Sequence, residues 1–139
     1  MPSDRSLLTT IEKIFILQEI DFLAETSTDH LALLADLFQE ETRKPGQYLV
    51  RSGVPCSSFY LLVDGRVALE KPNGEIEQIE RGPVNFWVCL SRRPSRLAAK
   101  CLEECRLLVM PSEDLLDALT TEPGLSLAIL KHHARTHWT

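Results

Sequence analysis

From Pro45 to about Val109 the chain is cut into short runs of β-forming residues, and this punctuation constrains its fold more than any other feature. The runs are "QYLVR", "SFYLLVDG", "RVALEK", "IEQIER", "RLAAKCL" and "CRLLVM". Each is rich in Val, Leu, Ile, Tyr or Phe, and Gly, Pro or Asn separates them. Pro45-Gly46 opens the region with a turn signal. Asn73-Gly74, in "KPNGE", predicts a two-residue hairpin loop, because both positions tolerate positive φ. Short strands at near-regular spacing predict an antiparallel barrel or sandwich.

The flanks read differently. "SLLTTIEKIFILQEIDFL", residues 6–23, sets Leu7, Ile11, Ile14, Phe15 and Leu17 at helical spacing. "TSTDHLALLADLFQEETR" predicts a second helix, capped by Ser27 or Thr28, with Leu31, Leu34, Ala35 and Phe38 on one face. A turn around residues 24–27 joins the two. Beyond the strands, Ser112 is expected to cap a helix, with Glu113 and Asp114 in its first turn, where negative charge suits the helix dipole. Pro123-Gly124 breaks that helix, and "LSLAILKHHARTHW" forms the last one. The order predicts an α+β fold in one domain, 1–139. An antiparallel, jelly-roll-like β-roll of about eight strands (about 45–110) is flanked by N-terminal helices (about 6–42) and C-terminal helices (about 112–138).

Length and composition bound the function. A chain of 139 residues with 44% hydrophobic and 25% charged residues suits one soluble globular domain with a real core. A net charge of -5 argues against a dedicated nucleic-acid binder. It does not exclude a local patch such as Arg92-Arg93-Arg96. No apolar run approaches the roughly 18 residues of a membrane span. The start, "MPSDRSLLTT", lacks the basic-then-apolar pattern of a secretory signal, so a cytoplasmic location is expected. Cys56, Cys89, Cys101 and Cys105 form no Cys-x-x-Cys pair and read as reduced structural thiols. His133 and His137 are four apart, but no carboxylate completes a metal set, so no metal is expected. No nucleophile–base motif, P-loop or His-Glu-x-x-His is present, so the chain does not read as an enzyme.

One spaced pattern is more specific. The chain reads Gly46-x-x-Leu49-x-x-x-Gly53, then Tyr60-Leu61-Leu62-x-x-Gly65-Arg66-Val67. Glycines suit the tight corners of a small roll, where a Cβ would clash. Tyr60 and Leu62 alternate onto one face. This ladder resembles the cyclic nucleotide-binding domain family, the β-roll of catabolite activator proteins, kinase regulatory subunits and gated channels. "RLLVMPSEDLLDAL" and "EPGLSLAIL" extend the resemblance over about residues 11–135.

The resemblance implies a phosphate-binding cassette between two strands, approximately "G-x-x-F-G-E-[LI]-A-L-L" then "R-[ST]-A-[ST]". There a helix N-terminus and an arginine hold a cyclic phosphate, and a glutamate accepts from the ribose hydroxyl. In "RGPVNFWVCLSRRPSRLAA", Gly82 matches the first glycine and Phe86 the phenylalanine. Trp87 stands at the second glycine and Val88 at the glutamate. Cys89-Leu90 replaces the Ala-Leu pair. Arg96 falls near the cassette arginine, Ser95 is a natural second donor, and Leu97-Ala98 replaces Ser-Ala or Thr-Ala.

Losing a charge-assisted bond to the ribose costs about 1.5–3 kcal/mol, roughly ten- to a hundredfold in affinity. No conventional cyclic nucleotide cofactor is therefore expected. Two readings of "NFWVCL" stand open. Phe86, Trp87 and Leu90 pack inward as core, or Trp87 stacks on a flat ligand in a rebuilt pocket. The arginines are a solvated loop, or Arg96 holds an anion. Function divides likewise. The chain is a regulatory module acting on a protein partner or as a homodimer through its C-terminal helix, or it is a sensor of an atypical nucleotide or anion at Arg96. No helix-turn-helix follows, so direct DNA binding is not expected.

Overall fold

The computed structural model describes residues 7–138. In chain order the elements are α1 (Thr10–Gln18), a 3-10 helix (Asp21–Leu23), α2 (Thr28–Leu37), β1 (Gln39–Arg43), β2 (Tyr48–Val50), β3 (Ser58–Asp64), β4 (Val67–Glu70), β5 (Ile76–Ile79), β6 (Gly82–Pro83), α3 (Phe86–Ser91), β7 (Ala98–Cys101), β8 (Cys105–Pro111), α4 (Ser112–Thr121) and α5 (Pro123–Trp138). The strands form two four-stranded antiparallel sheets, ordered β1-β8-β3-β6 and β2-β7-β4-β5. The expected α+β roll with flanking helices is the fold that forms.

The central pair β3 and β8 explains the layering. Tyr60 lies opposite Val109 and Leu62 opposite Leu107, and all four enter the core between the two sheets. Phe59 lies opposite Met110 and Leu61 opposite Leu108, and these four enter a second core beneath the helices. Successive side chains of a strand leave on opposite faces, so one strand pair serves both cores. The second core is completed by Leu17, Phe22, Leu31, Leu34, Ala35 and Phe38 from the N-terminal helices, and by Leu115, Leu125 and Ile129 from the C-terminal ones.

Several local expectations are corrected. The second helix stops at Leu37, and residues 39–43 are strand β1, so the roll begins earlier than Pro45. "QEETR" has no apolar signal; it becomes a strand because β8 offers an open edge, with Gln39 opposite Val109 and Arg43 opposite Cys105. Tertiary pairing overrides the local pattern there. The start of the first helix, expected at residue 6, lies outside the described residues. Of its apolar stripe Leu17 is buried, whereas Leu7, Ile11 and Phe15 are exposed; Ile16 is buried instead.

Ser27 caps α2 as expected, accepting from the His30 N–H at 3.2 Å. Ser112 does not cap α4: it is the first helical residue, and Pro111 holds the cap position without a side-chain bond. The Asn73-Gly74 hairpin has a longer loop than expected. The Lys71 N–H donates to the Glu75 carbonyl and the Gly74 N–H to the Lys71 carbonyl, leaving a three-residue loop. Only Gly74 has positive φ there (88°), the arrangement of a turn closed by a glycine bulge. Within the glycine ladder, Gly65 alone avoids a Cβ clash. An added Cβ would come within 2.8 Å of the Glu104 carbonyl oxygen. Gly46 and Gly53 have open space and are required by φ values of 88° and 86°.

Candidate ligand pocket and interaction surfaces

β6 is only two residues long, pairing Gly82 with Leu62 and Pro83 with Leu61. Gly82 turns the chain there with φ 111°. The backbone then leaves the sheet for α3, and Asn85 continues the ladder with its side chain. Its Oδ1 accepts from the Tyr60 N–H and its Nδ2 donates to the Ser58 carbonyl, both at 2.9 Å. A carboxamide carries the same donor and acceptor as a peptide group, so it substitutes for a missing strand residue. Asn85 is almost fully buried. Sequence reasoning missed it. The available signal was a lone amide inside the apolar run "VNFWV", which is affordable only when both ends are bonded.

α3 presents its first turn to the helical core. Phe86 is buried, stacked on Phe22 with ring centroids 4.3 Å apart and edge-on to Phe59 at 5.3 Å. Cys89 is buried beside it, and Leu90 and Val88 are half-buried. Phe86 thus packs inward as one reading expected. Trp87 does not: it is 47% exposed and lies on the outside of α3. Its ring meets Phe86 at 4.9 Å, Phe22 at 5.5 Å and His133 of α5 at 5.4 Å. It therefore neither fills the roll nor faces its interior; consecutive helical residues point about 100° apart, and Phe86 takes the inward direction.

The roll interior is closed by its own side chains, among them Leu49, Val50, Tyr60, Leu62, Val84 and Leu107. Beside it lies an open hollow of about 170 Å³, lined by residues 48–51 and 54–57. Ser95 is buried, and its hydroxyl is occupied locally: it donates to the Leu97 carbonyl at 2.7 Å and accepts from the Leu97 N–H at 3.1 Å. Arg96 is exposed, and Ala98 is buried at the start of β7. The structure gathers Gly82, Phe86, Trp87, Val88, Cys89 and Leu90 around α3, while Ser95, Arg96 and Ala98 lie on the following loop and strand.

All four cysteines are free. Burial, reinforced by Cys56, pushes the Cys89 thiol up to about 11. Burial and the neighbouring Cys105 push Cys101 up to about 12. Both are kept as neutral thiols at physiological pH. Cys101 ends β7 and Cys105 begins β8, with a bend at Leu102 and Glu103 between them.

α5 is tied down at several points. Glu122, at the junction of α4 and α5, lies 3.4 Å from His30; within α5, His132 lies 4.0 Å from Glu25, and Arg135 pairs with the same Glu25. His133 and His137, four residues apart, stack on each other at 4.1 Å. Leu125 and Ile129 face the core, whereas Leu127, Leu130 and Trp138 are 51%, 63% and 82% exposed. No described helix is long and apolar enough to cross a membrane.

Comparison with known proteins agrees with this architecture. The chain is 25% identical over 114 residues to a candidate potassium channel protein of Rhodopseudomonas palustris, covering 79% of this chain. It spans 28% of that relative's length. The N-terminal domain of a transcriptional regulator from Streptomyces coelicolor A3(2) superposes with a TM-score of 0.70 at 24% identity, covering 87% of this chain and 91% of that one. The sensor domain of the transcriptional regulator DNR from Pseudomonas aeruginosa superposes with a TM-score of 0.69 at 22% identity, covering 92% and 91%. At these identities the superpositions speak for the fold. The sequence profile of the cyclic nucleotide-binding domain matches residues 40–122, more than half the chain. The chain therefore belongs to the cyclic nucleotide-binding domain family.

Proposed function

We propose that this chain is a regulatory module that no longer captures cyclic nucleotide conventionally and transmits through protein contacts. The observation that carries the reading is the packed interior of the roll: the open hollow beside it is about 170 Å³, the one against α3 about 240 Å³, and the larger one of about 460 Å³ lies against Ile16, Glu19 and Arg81 with no residue of α3 in its lining. Small-molecule sites usually offer about 300 Å³ or more and enclose most of the ligand. The cassette chemistry points the same way: Val88 cannot accept from a ribose hydroxyl, and the Ser95 hydroxyl is already bonded to Leu97. The four free thiols suit a reducing cytoplasm.

The contact surface we assign is the outer face of α5. Leu127, Leu130, Ala134 and Trp138 recur at three- and four-residue steps and are all exposed. Such a stripe suits pairing with the same helix of a second copy about a two-fold axis. The second reading, an atypical nucleotide or anion held at Arg96, is favoured by the exposed arginines of that loop.

A thermal-shift titration with cyclic AMP, cyclic GMP and cyclic dinucleotides to about 1 mM separates the two. A ligand at about a hundred times its dissociation constant adds roughly 2.7 kcal/mol, several degrees in a domain of this size. No shift is expected. A clear shift abolished by Arg96→Ala would overturn the proposal and establish the second reading.

A further inference from the structure

The arginines among the described residues differ in whether they have a partner. Arg43 pairs with Glu41, Arg66 with Glu103, Arg81 with Glu19, Arg106 with Glu40 and Arg135 with Glu25. Arg51 stacks on Tyr48, 4.6 Å from the ring centre. Arg92, Arg93 and Arg96 are exposed, and among the described residues none has an ion-pair or side-chain hydrogen-bond partner. All three sit on the single loop between α3 and β7.

The surroundings are unusual for an acidic protein. Residues 42–63 and 81–102 hold eight of the fifteen Lys and Arg residues and none of the twenty Asp and Glu. The fold brings these two stretches together. β2 pairs with β7, Pro55 bridges Pro94, the Gly53 N–H donates to the Ser95 carbonyl at 2.7 Å, and the Ser95 N–H donates to the Val54 carbonyl at 3.0 Å. The loop is therefore pinned by backbone bonds from the β2–β3 connection, which also carries Arg51. Arg92 is held at φ 60°, a left-handed conformation that a non-glycine side chain rarely adopts. Three like charges thus fall within five residues of one pinned loop, with no ion-pair partner among the described residues.

Such an arrangement stores repulsion that an incoming polyanion relieves, and guanidinium groups match carboxylates two bonds at a time. The hollow beside Arg51, about 170 Å³, gives the partner chain a place to seat. Nucleic acid and anionic membrane present extended negative surfaces, which the net charge of -5 repels. A short acidic segment engages the loop alone. We propose that Arg92, Arg93 and Arg96, with Arg51 beside them, form a docking site for an Asp/Glu-rich segment of a partner protein. This rests on the reading of the chain as a protein-interaction module and gives that reading a second surface, distinct from α5.

The test is fluorescence anisotropy with a labelled Glu/Asp-repeat peptide, run with and without cyclic AMP. The wild-type chain is expected to bind and to weaken steeply as NaCl rises from about 50 to about 300 mM. The R92Q/R93Q/R96Q variant should bind at least about tenfold more weakly while melting as wild type does, since the replaced side chains are exposed. A charge-matched control, R66Q/K71Q/K131Q, should bind as wild type does. Equal weakening in the control would mean only net charge is sensed and would overturn the site. So would the absence of peptide binding, or tighter arginine-dependent binding of an oligonucleotide or an anionic phosphatidylserine vesicle. The cyclic AMP arm keeps the two readings apart: a nucleotide effect refutes the interaction-module reading, whereas loss of peptide binding alone refutes the arginine site and leaves α5 untouched.

Discussion

Replacing Asn85 by alanine tests how the cassette helix is attached to the roll. The side chain makes two bonds of 2.9 Å, to the Tyr60 N–H and the Ser58 carbonyl, in a position almost closed to water. Asn85→Ala removes both partners at once and supplies none. Each buried backbone group left unpaired costs about 1–3 kcal/mol, and some relief by water gives about 2–4 kcal/mol in all. That is a large share of a typical stability of about 5–15 kcal/mol. In a domain of this size it lowers Tm by about 10 °C.

Urea unfolding read by tryptophan fluorescence measures it, because Trp87 sits on α3 against Phe22 and His133. The midpoint should fall with the slope unchanged, the mark of a stability change without loss of compactness. Asn85→Asp adds a sign check. It keeps an acceptor for Tyr60 but faces the Ser58 carbonyl with an oxygen, and burial raises the new carboxyl's pKa above its unfolded value. Its stabilising, protonated form is present below the unfolded pKa and is lost as pH rises through the folded one, so the deficit relative to wild type must grow with pH. A loss below about 0.5 kcal/mol for Asn85→Ala would refute the claim that this amide completes the β6 ladder.

Three further outcomes are expected. Gly65→Ala places a Cβ within 2.9 Å of backbone atoms of Glu104 and Cys105 at φ 121°, so it should unfold or fail to accumulate; Gly53→Ala meets open space and should lose only about 1–2 kcal/mol for its left-handed φ, as urea melts will report. Leu130→Asp puts a charge in the exposed α5 stripe and should convert a dimer to a monomer in light scattering without lowering the monomer's melting temperature; a wild-type chain that stays monomeric at high concentration refutes α5 pairing. Alkylation at pH 8 should label Cys56 first, since Cys89 and Cys101 are buried and held as thiols at about 11 and about 12; mass spectrometry showing Cys89 or Cys101 labelled as fast as Cys56 would contradict that burial.

The sequence by itself determined the roll. Turn residues and β-rich runs are local signals, and β3 announces its two faces by alternation, with Tyr60 and Leu62 to one side and Phe59 and Leu61 to the other. The same holds for α2, whose Leu31, Leu34 and Ala35 are buried as their spacing requires, whereas Phe38 is buried from the extended residue that follows the helix. Tertiary structure alone decided β1, because "QEETR" has no apolar pattern and is a strand only through the edge that β8 presents. It also decided the role of Asn85, whose bonds reach residues 25 and 27 positions away. Trp87 and Phe86 are equivalent as letters, and only the direction of α3 over the core sends one inward and the other out. The pairing of the arginines is of the same kind. Charge is written in the sequence, but whether a counter-charge lies within reach depends on which distant strands the fold brings together.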